Sequence, residues 1–177
     1  ALRFRHLLGV AVAATGLWVM GGAFSSSAPP AAGALLPGYQ LTLAHPLGAI
    51  ARNLSGLTYS RDTGTLYAVI NRPAGLAEIS TSGQVLRHFP RIAGLHDIEG
   101  IAHVQGDLFA VVEEASNRVR WLQVPAQGAP RLLPRAPLHL PEANFANLGL
   151  EGLTWDARSQ RLLLVQERWP TRVMSVG

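Results

Sequence analysis

One six-residue pattern occurs three times in this chain and constrains the fold more than any other feature. Leu54-Ser55-Gly56-Leu57-Thr58-Tyr59, Ile98-Glu99-Gly100-Ile101-Ala102-His103 and Leu150-Glu151-Gly152-Leu153-Thr154-Trp155 align without gaps. A turn and a second apolar run follow each, over 66–71, 108–113 and 162–167. The shared glycines lie 44 and then 52 residues apart. Strands and turns recurring at about 40–50 residues are the period of a β-propeller blade, which buries its apolar faces against its neighbours in the ring.

Within each unit the turn residues separate short runs of strand character. In the first, Arg61-Asp62-Thr63-Gly64 and Ser82-Gly83 are turns around runs at 57–59, 65–70, 76–80 and 84–89. The second has a Gln105-Gly106-Asp107 turn and runs at 108–112 and 118–124; the third has Asp156-Ala157-Arg158-Ser159 and runs at 162–165 and 172–176. This rhythm leaves no room for crossover helices, so the fold class is all-β with antiparallel meanders. The Pro/Arg-rich stretch 125–141 reads as a surface connection with a strand fragment at Leu132-Leu133. The blade units run over about 41–92, 93–140 and 141–177. Propellers close with about four to eight blades, so three units are expected to belong to a longer ring.

The first 40 residues have a different composition. Arg3, Arg5 and His6 precede an 18-residue apolar run at 7–24, and a Ser/Pro/Ala-rich linker follows at 25–40. This is the layout of a secretory signal, either cleaved or kept as a signal-anchor; the anchor is the reading preferred, a hydrophobic helix crossing the cytoplasmic membrane once, with the remainder in the periplasm or outside the cell. Beyond it, thirteen Arg face eleven acids, a net charge of +2. The sequence pI of 10.6 follows from Arg supplying every basic side chain, since Arg does not deprotonate. No basic run remains outside the anchor, so nucleic acid is not an expected partner.

The candidate site follows from the repeat. Ser55, Glu99 and Glu151 precede the shared glycines, and Asn71, Glu113 and Glu167 end the second runs. Alternate residues of an innermost strand face one side, so recurring acids there converge near the ring axis. The chain has no Cys, which excludes thiolate metal sites and leaves carboxylate and amide oxygens, donors that suit Ca²⁺. The structural alternative is that Glu99 and Glu151 accept backbone N–H bonds from a neighbouring blade. His96-Asp97 and Glu113-Glu114 are the sequence's nearest approach to acid–base pairs, and no G-x-S-x-G or H-E-x-x-H is present.

The units L-S-G-L-T-Y-S-R-D-T-G-T-L-Y-A-V, D-I-E-G-I-A and L-E-G-L-T-W-D resemble the SdiA-regulated family of bacterial envelope proteins, over about 41–177. That resemblance implies a five-bladed, NHL-like propeller behind a membrane anchor, with a calcium site and no established catalysis. Glu99, Glu151, Glu113, Glu167 and Asn71 are the positions it offers for metal. The function expected is a calcium-binding module that holds a protein or small-molecule ligand on a propeller face. The E-G-x-x-W run at Glu151–Trp155 is also similar to lactonase propellers. The alternative is therefore a metal-dependent hydrolase of lactonase, esterase or phytase type.

Overall fold

The computed structural model describes residues 41–50, 52–139, 149–167 and 171–177. The expected anchor at 1–24 and linker at 25–40 lie outside them. Three antiparallel sheets occur, and no helix is present among the described residues. The first holds β1 (Leu54–Ser60), β2 (Thr65–Ile70), β3 (Gly75–Ile79) and β4 (Val85–Phe89), in that order. The second holds β5 (Ile98–Gln105), β6 (Leu108–Glu113) and β7 (Arg118–Gln123), with β8 (Arg131–Leu132) and β9 (Leu138–His139) both paired to β7. The third holds β10 (Leu150–Asp156), β11 (Arg161–Gln166) and β12 (Arg172–Val176). Each is the meander expected from the repeat. The Pro/Arg-rich stretch supplies two short strands to the outer position of the second sheet, where Pro134 and Pro137 lie between them and interrupt the ladder.

The sheets stack face to face, and period-two alternation sorts the core. In β6, Phe109 and Val111 point into a core shared with Tyr67, Val69 and Leu76 of the first sheet. Their neighbours Ala110 and Val112 point the other way, into a core shared with Leu150, Leu162 and Leu164 of the third. The middle sheet is therefore buried on both faces, which accounts for the unbroken apolar run Leu108-Phe109-Ala110-Val111-Val112. Trp121 and Trp155 pack against the second of these cores.

The repeated glycine pattern has a physical meaning at the inner strands. A Cβ on Gly56 would stand 2.8 Å from the Glu99 carbonyl oxygen and 2.8 Å from the Gly100 Cα. β1 thus lies backbone to backbone against β5. Farther along the same face, the His103 amide donates to Thr58 Oγ1 at 3.2 Å, and Ser60 Oγ lies 3.4 Å from His103 Nε2. Gly100 is crowded by Val112 of its own sheet and by Leu153 of the third, at 2.9 and 3.3 Å. A Cβ on Gly152 would meet nothing nearer than Val165 at 3.4 Å.

These distances rank the three glycines. Gly56→Ala is expected to lower stability by about 1–3 kcal/mol, because the obstructing atoms are backbone and cannot turn aside. Gly152→Ala is expected to change it by less than about 0.5 kcal/mol. Denaturant unfolding of both variants checks this; equal midpoints would show that the inner strands are not tightly apposed.

Candidate metal centre

Each inner strand begins with the same local device. Asn53, Asp97 and Gly149 stand just before β1, β5 and β10 with φ of 62°, 51° and 54°. Their carbonyls accept from the amides of Asn71, Glu114 and Glu167, each at 2.9 Å. The ladder register then shifts between Leu54 and Leu57, Ile98 and Gly100, and Leu150 and Gly152. A β-bulge therefore falls on Ser55, Glu99 and Glu151. Bulges re-aim a side chain and raise local twist, and here they set Glu99 and Glu151 at the start of the inner strands.

The same hydrogen bonds fix which strand-end residues are equivalent. Asn71, Glu114 and Glu167 occupy one position, and Ile70, Glu113 and Gln166 the position before it, opposite Leu54, Ile98 and Leu150. The strand-end series read from sequence was Asn71, Glu113, Glu167; the structure moves its middle member to Glu114. Phe109, not Leu108, stands opposite His103 as Leu66 and Leu162 stand opposite Tyr59 and Trp155, so Leu108 takes the place of Thr65 and Arg161. Glu113 is buried and committed locally. It accepts from the His96 amide at 2.9 Å and Ser116 Oγ at 3.1 Å, and lies 3.5 Å from Arg120 Nη1.

The remaining acids converge. Asp97, Glu99 and Glu114 each place a carboxylate oxygen within 4.8 Å of the others, a set able to hold a metal ion. Glu99 accepts from Ser55 Oγ and from Asn71 Nδ2, so its partners are side chains of the first sheet. The carboxylates of Glu151 and Glu114 lie together over Gly149, with Oε1 atoms 3.0 and 3.2 Å from where its Cβ would stand. Any larger residue at 149 would have to displace them. Burial first, and then the charges of Glu114, Glu99 and Glu167, push the Glu151 carboxyl above its usual range. One cation relieves the cluster: Arg72 donates to Asp97 Oδ1 from Nε and Nη2 at 3.0 and 2.8 Å. Asn71 Oδ1 is buried and has no hydrogen-bond partner.

This donor set is all oxygen, has excess negative charge and includes an unpartnered buried amide oxygen, so it fits a hard cation. Asp97 and Glu114 are the members that the repeat did not single out. The pairing of His96 with Asp97 suggested by adjacency is not what forms, since Asp97 meets Arg72 instead. No histidine belongs to the three-carboxylate cluster.

Stacked antiparallel sheets with converging inner strands define a propeller-like protein. The sequence model of the SdiA-regulated family matches residues 31–177, and the chain belongs to that family. A solved structure agrees on the fold. The crystal structure of the nidogen/laminin complex contains a similar chain, with a TM-score of 0.50 and 15% identity, over 69% of this chain and 43% of that one. A catalytically inactive virginiamycin B lyase from Staphylococcus aureus, crystallised with quinupristin, gives a TM-score of 0.45 and 11% identity over 70% and 40%. A functionally unknown protein from Desulfotomaculum acetoxidans gives 0.43 and 12% over 70% and 41%. The chain spans less than half the length of these neighbours.

The crowded carboxylates predict a pH dependence. A carboxyl with a raised folded-state pKa binds its proton more tightly in the folded chain than in the unfolded one. The contribution of Glu151 to metal-free stability is therefore fully present below the ordinary carboxylate value and is lost as pH rises through the raised one. Glu151→Gln is expected to flatten that fall and to stabilise the metal-free chain at neutral pH. Denaturant unfolding in EDTA across the acid-to-neutral range checks this; an unchanged slope in the variant would show that Glu151 is not under charge strain.

Proposed function

We propose that the chain is a non-catalytic, calcium-dependent binding module, tethered to the outer side of the cytoplasmic membrane by its N-terminal segment. The observation that carries the calcium reading is the all-oxygen mouth itself. Asn71, Asp97, Glu99, Glu114, Glu151 and Glu167 come from three different sheets, and Asn71 Oδ1 is buried without a partner. Ca²⁺ takes 6–8 oxygen ligands in flexible geometry, and a site spread over three sheets would fasten them to one another. Glu113 is outside this set because its oxygens are engaged in its own loop.

The membrane reading is supported by Arg3, Arg5 and His6 ahead of an 18-residue apolar run. Among the described residues no helix is long and apolar enough to cross a membrane. The binding role is supported by the fold: a similar chain forms part of a nidogen/laminin complex. A protein or small-molecule ligand on one face of the sheets is the partner expected here.

Calorimetry of the full chain in Ca²⁺ and in EDTA tests the metal part. At a Ca²⁺ concentration of about 100 times Kd, stability is expected to rise by about 2.7 kcal/mol. Glu99→Gln and Asp97→Asn are expected to abolish that gain while leaving a cooperative melt. Identical melts with Ca²⁺ and with EDTA would contradict the proposal. Metal-dependent ester or lactone turnover that Glu151→Gln abolishes would replace the binding reading with a hydrolase.

A further inference from the structure

The inner strands have a second end. β5 takes six residue-to-residue steps from Glu99 to Gln105, about 20 Å at 3.3 Å per step, so its far end is well separated from the acidic mouth. There the hairpin turns of the three sheets surround a cavity of about 570 Å³. That volume falls within the range of small-molecule sites.

Its charges are unevenly committed. Asp62 Oδ2 accepts from the Gly106 amide at 2.6 Å and lies 3.4 Å from His103 Nε2. Asp156 accepts from the Arg158 amide at 3.0 Å and from Ser159 Oγ at 2.5 Å. Asp62 thus ties the first hairpin to the second, and Asp156 is bound into its own turn. Arg61 and Arg158 line the same cavity, are exposed, and have no guanidinium partner among the described residues. Aromatic rings accompany them. Tyr59, His103 and Trp155 hold the third position after the shared glycines, opposite Leu66, Phe109 and Leu162. His103 is fixed by the Gly106 carbonyl at 3.0 Å and by Phe109, 4.9 Å away ring to ring. Tyr59 is 50% exposed, and both Tyr59 and Trp155 line the cavity.

We propose that this mouth is a second binding site, for a small organic anion with a flat apolar body. The guanidiniums of Arg61 and Arg158 would take the anionic group, since Arg is a bidentate partner for carboxylate. The rings of Tyr59 and Trp155 would take the flat body by stacking. The site shares no residue with the acidic mouth.

Naphthalene-2-carboxylate and its neutral amide serve as probes, titrated into the full chain and followed by tryptophan fluorescence and calorimetry. The acid is expected to bind with a Kd below about 1 mM, and the amide at least about tenfold more weakly. Arg61→Gln with Arg158→Gln is expected to remove that preference, and Tyr59→Ala to weaken both probes. All three positions are at the surface, and an unchanged melting midpoint shows that each variant folds. No binding of the acid, equal binding of acid and amide, or wild-type acid binding by the double Arg variant would each overturn the proposal.

Discussion

The backbone contact of β1 on β5 is the constraint on which the rest of the architecture depends. Three sheets meet along inner strands, and Gly56 lets the first strand approach the Glu99-Gly100-Ile101 backbone with no side chain between them. The apolar cores on either side of β6 then close behind that contact, Phe109 and Val111 on one face, Ala110 and Val112 on the other. Apolar burial supplies the driving force. The glycine sets how near the inner strands come, and so how near their first residues are to one another.

That nearness has an electrostatic cost. The bulges that start β5 and β10 place Glu99 and Glu151 where Glu114 and Glu167 also point, and like charges in a partly buried site disfavour ionisation. Arg72 on Asp97 offsets part of this. Ser55 and Asn71 offset more by donating to Glu99 from the first sheet. A hard cation would offset the remainder, and the buried, unpartnered Asn71 Oδ1 points to the same chemistry. The opposite mouth contrasts with this arrangement. Its carboxylates are bound into turns, and its guanidiniums have no partner among the described residues. The two ends of one set of strands therefore differ in chemical character.

Much of this was legible in the sequence because the repeat states it directly. The meander order, the turns and the convergence of Glu99 with Asn71 all follow from the period and from alternation along a strand. The strand-end register was not legible at Glu113, because the second hairpin combines a bulge between His103 and Gln105 with a shorter turn than the other two, and its apolar run starts one register position early. Aligning the three amides that bond back to Asn53, Asp97 and Gly149 identifies Glu114 instead. Asp97 was passed over for a related reason. Beside His96 it reads as an acid–base pair, whereas at φ 51° it holds the position before the bulge and meets Arg72 from another sheet. Such long-range pairing is fixed by tertiary packing, which a single chain of letters does not display.

Amide hydrogen exchange of the full chain, with Ca²⁺ and with EDTA, tests most directly whether a cation at the acidic mouth fastens the three sheets together. Local opening free energies read by exchange report which backbone segments a ligand holds. The account predicts added protection with Ca²⁺ confined to the starts of β5 and β10 and to the Asn71, Glu114 and Glu167 amides, with the hairpin turns at the opposite mouth unchanged. Exchange that is the same in both conditions, or protection spread evenly over the chain, would contradict it.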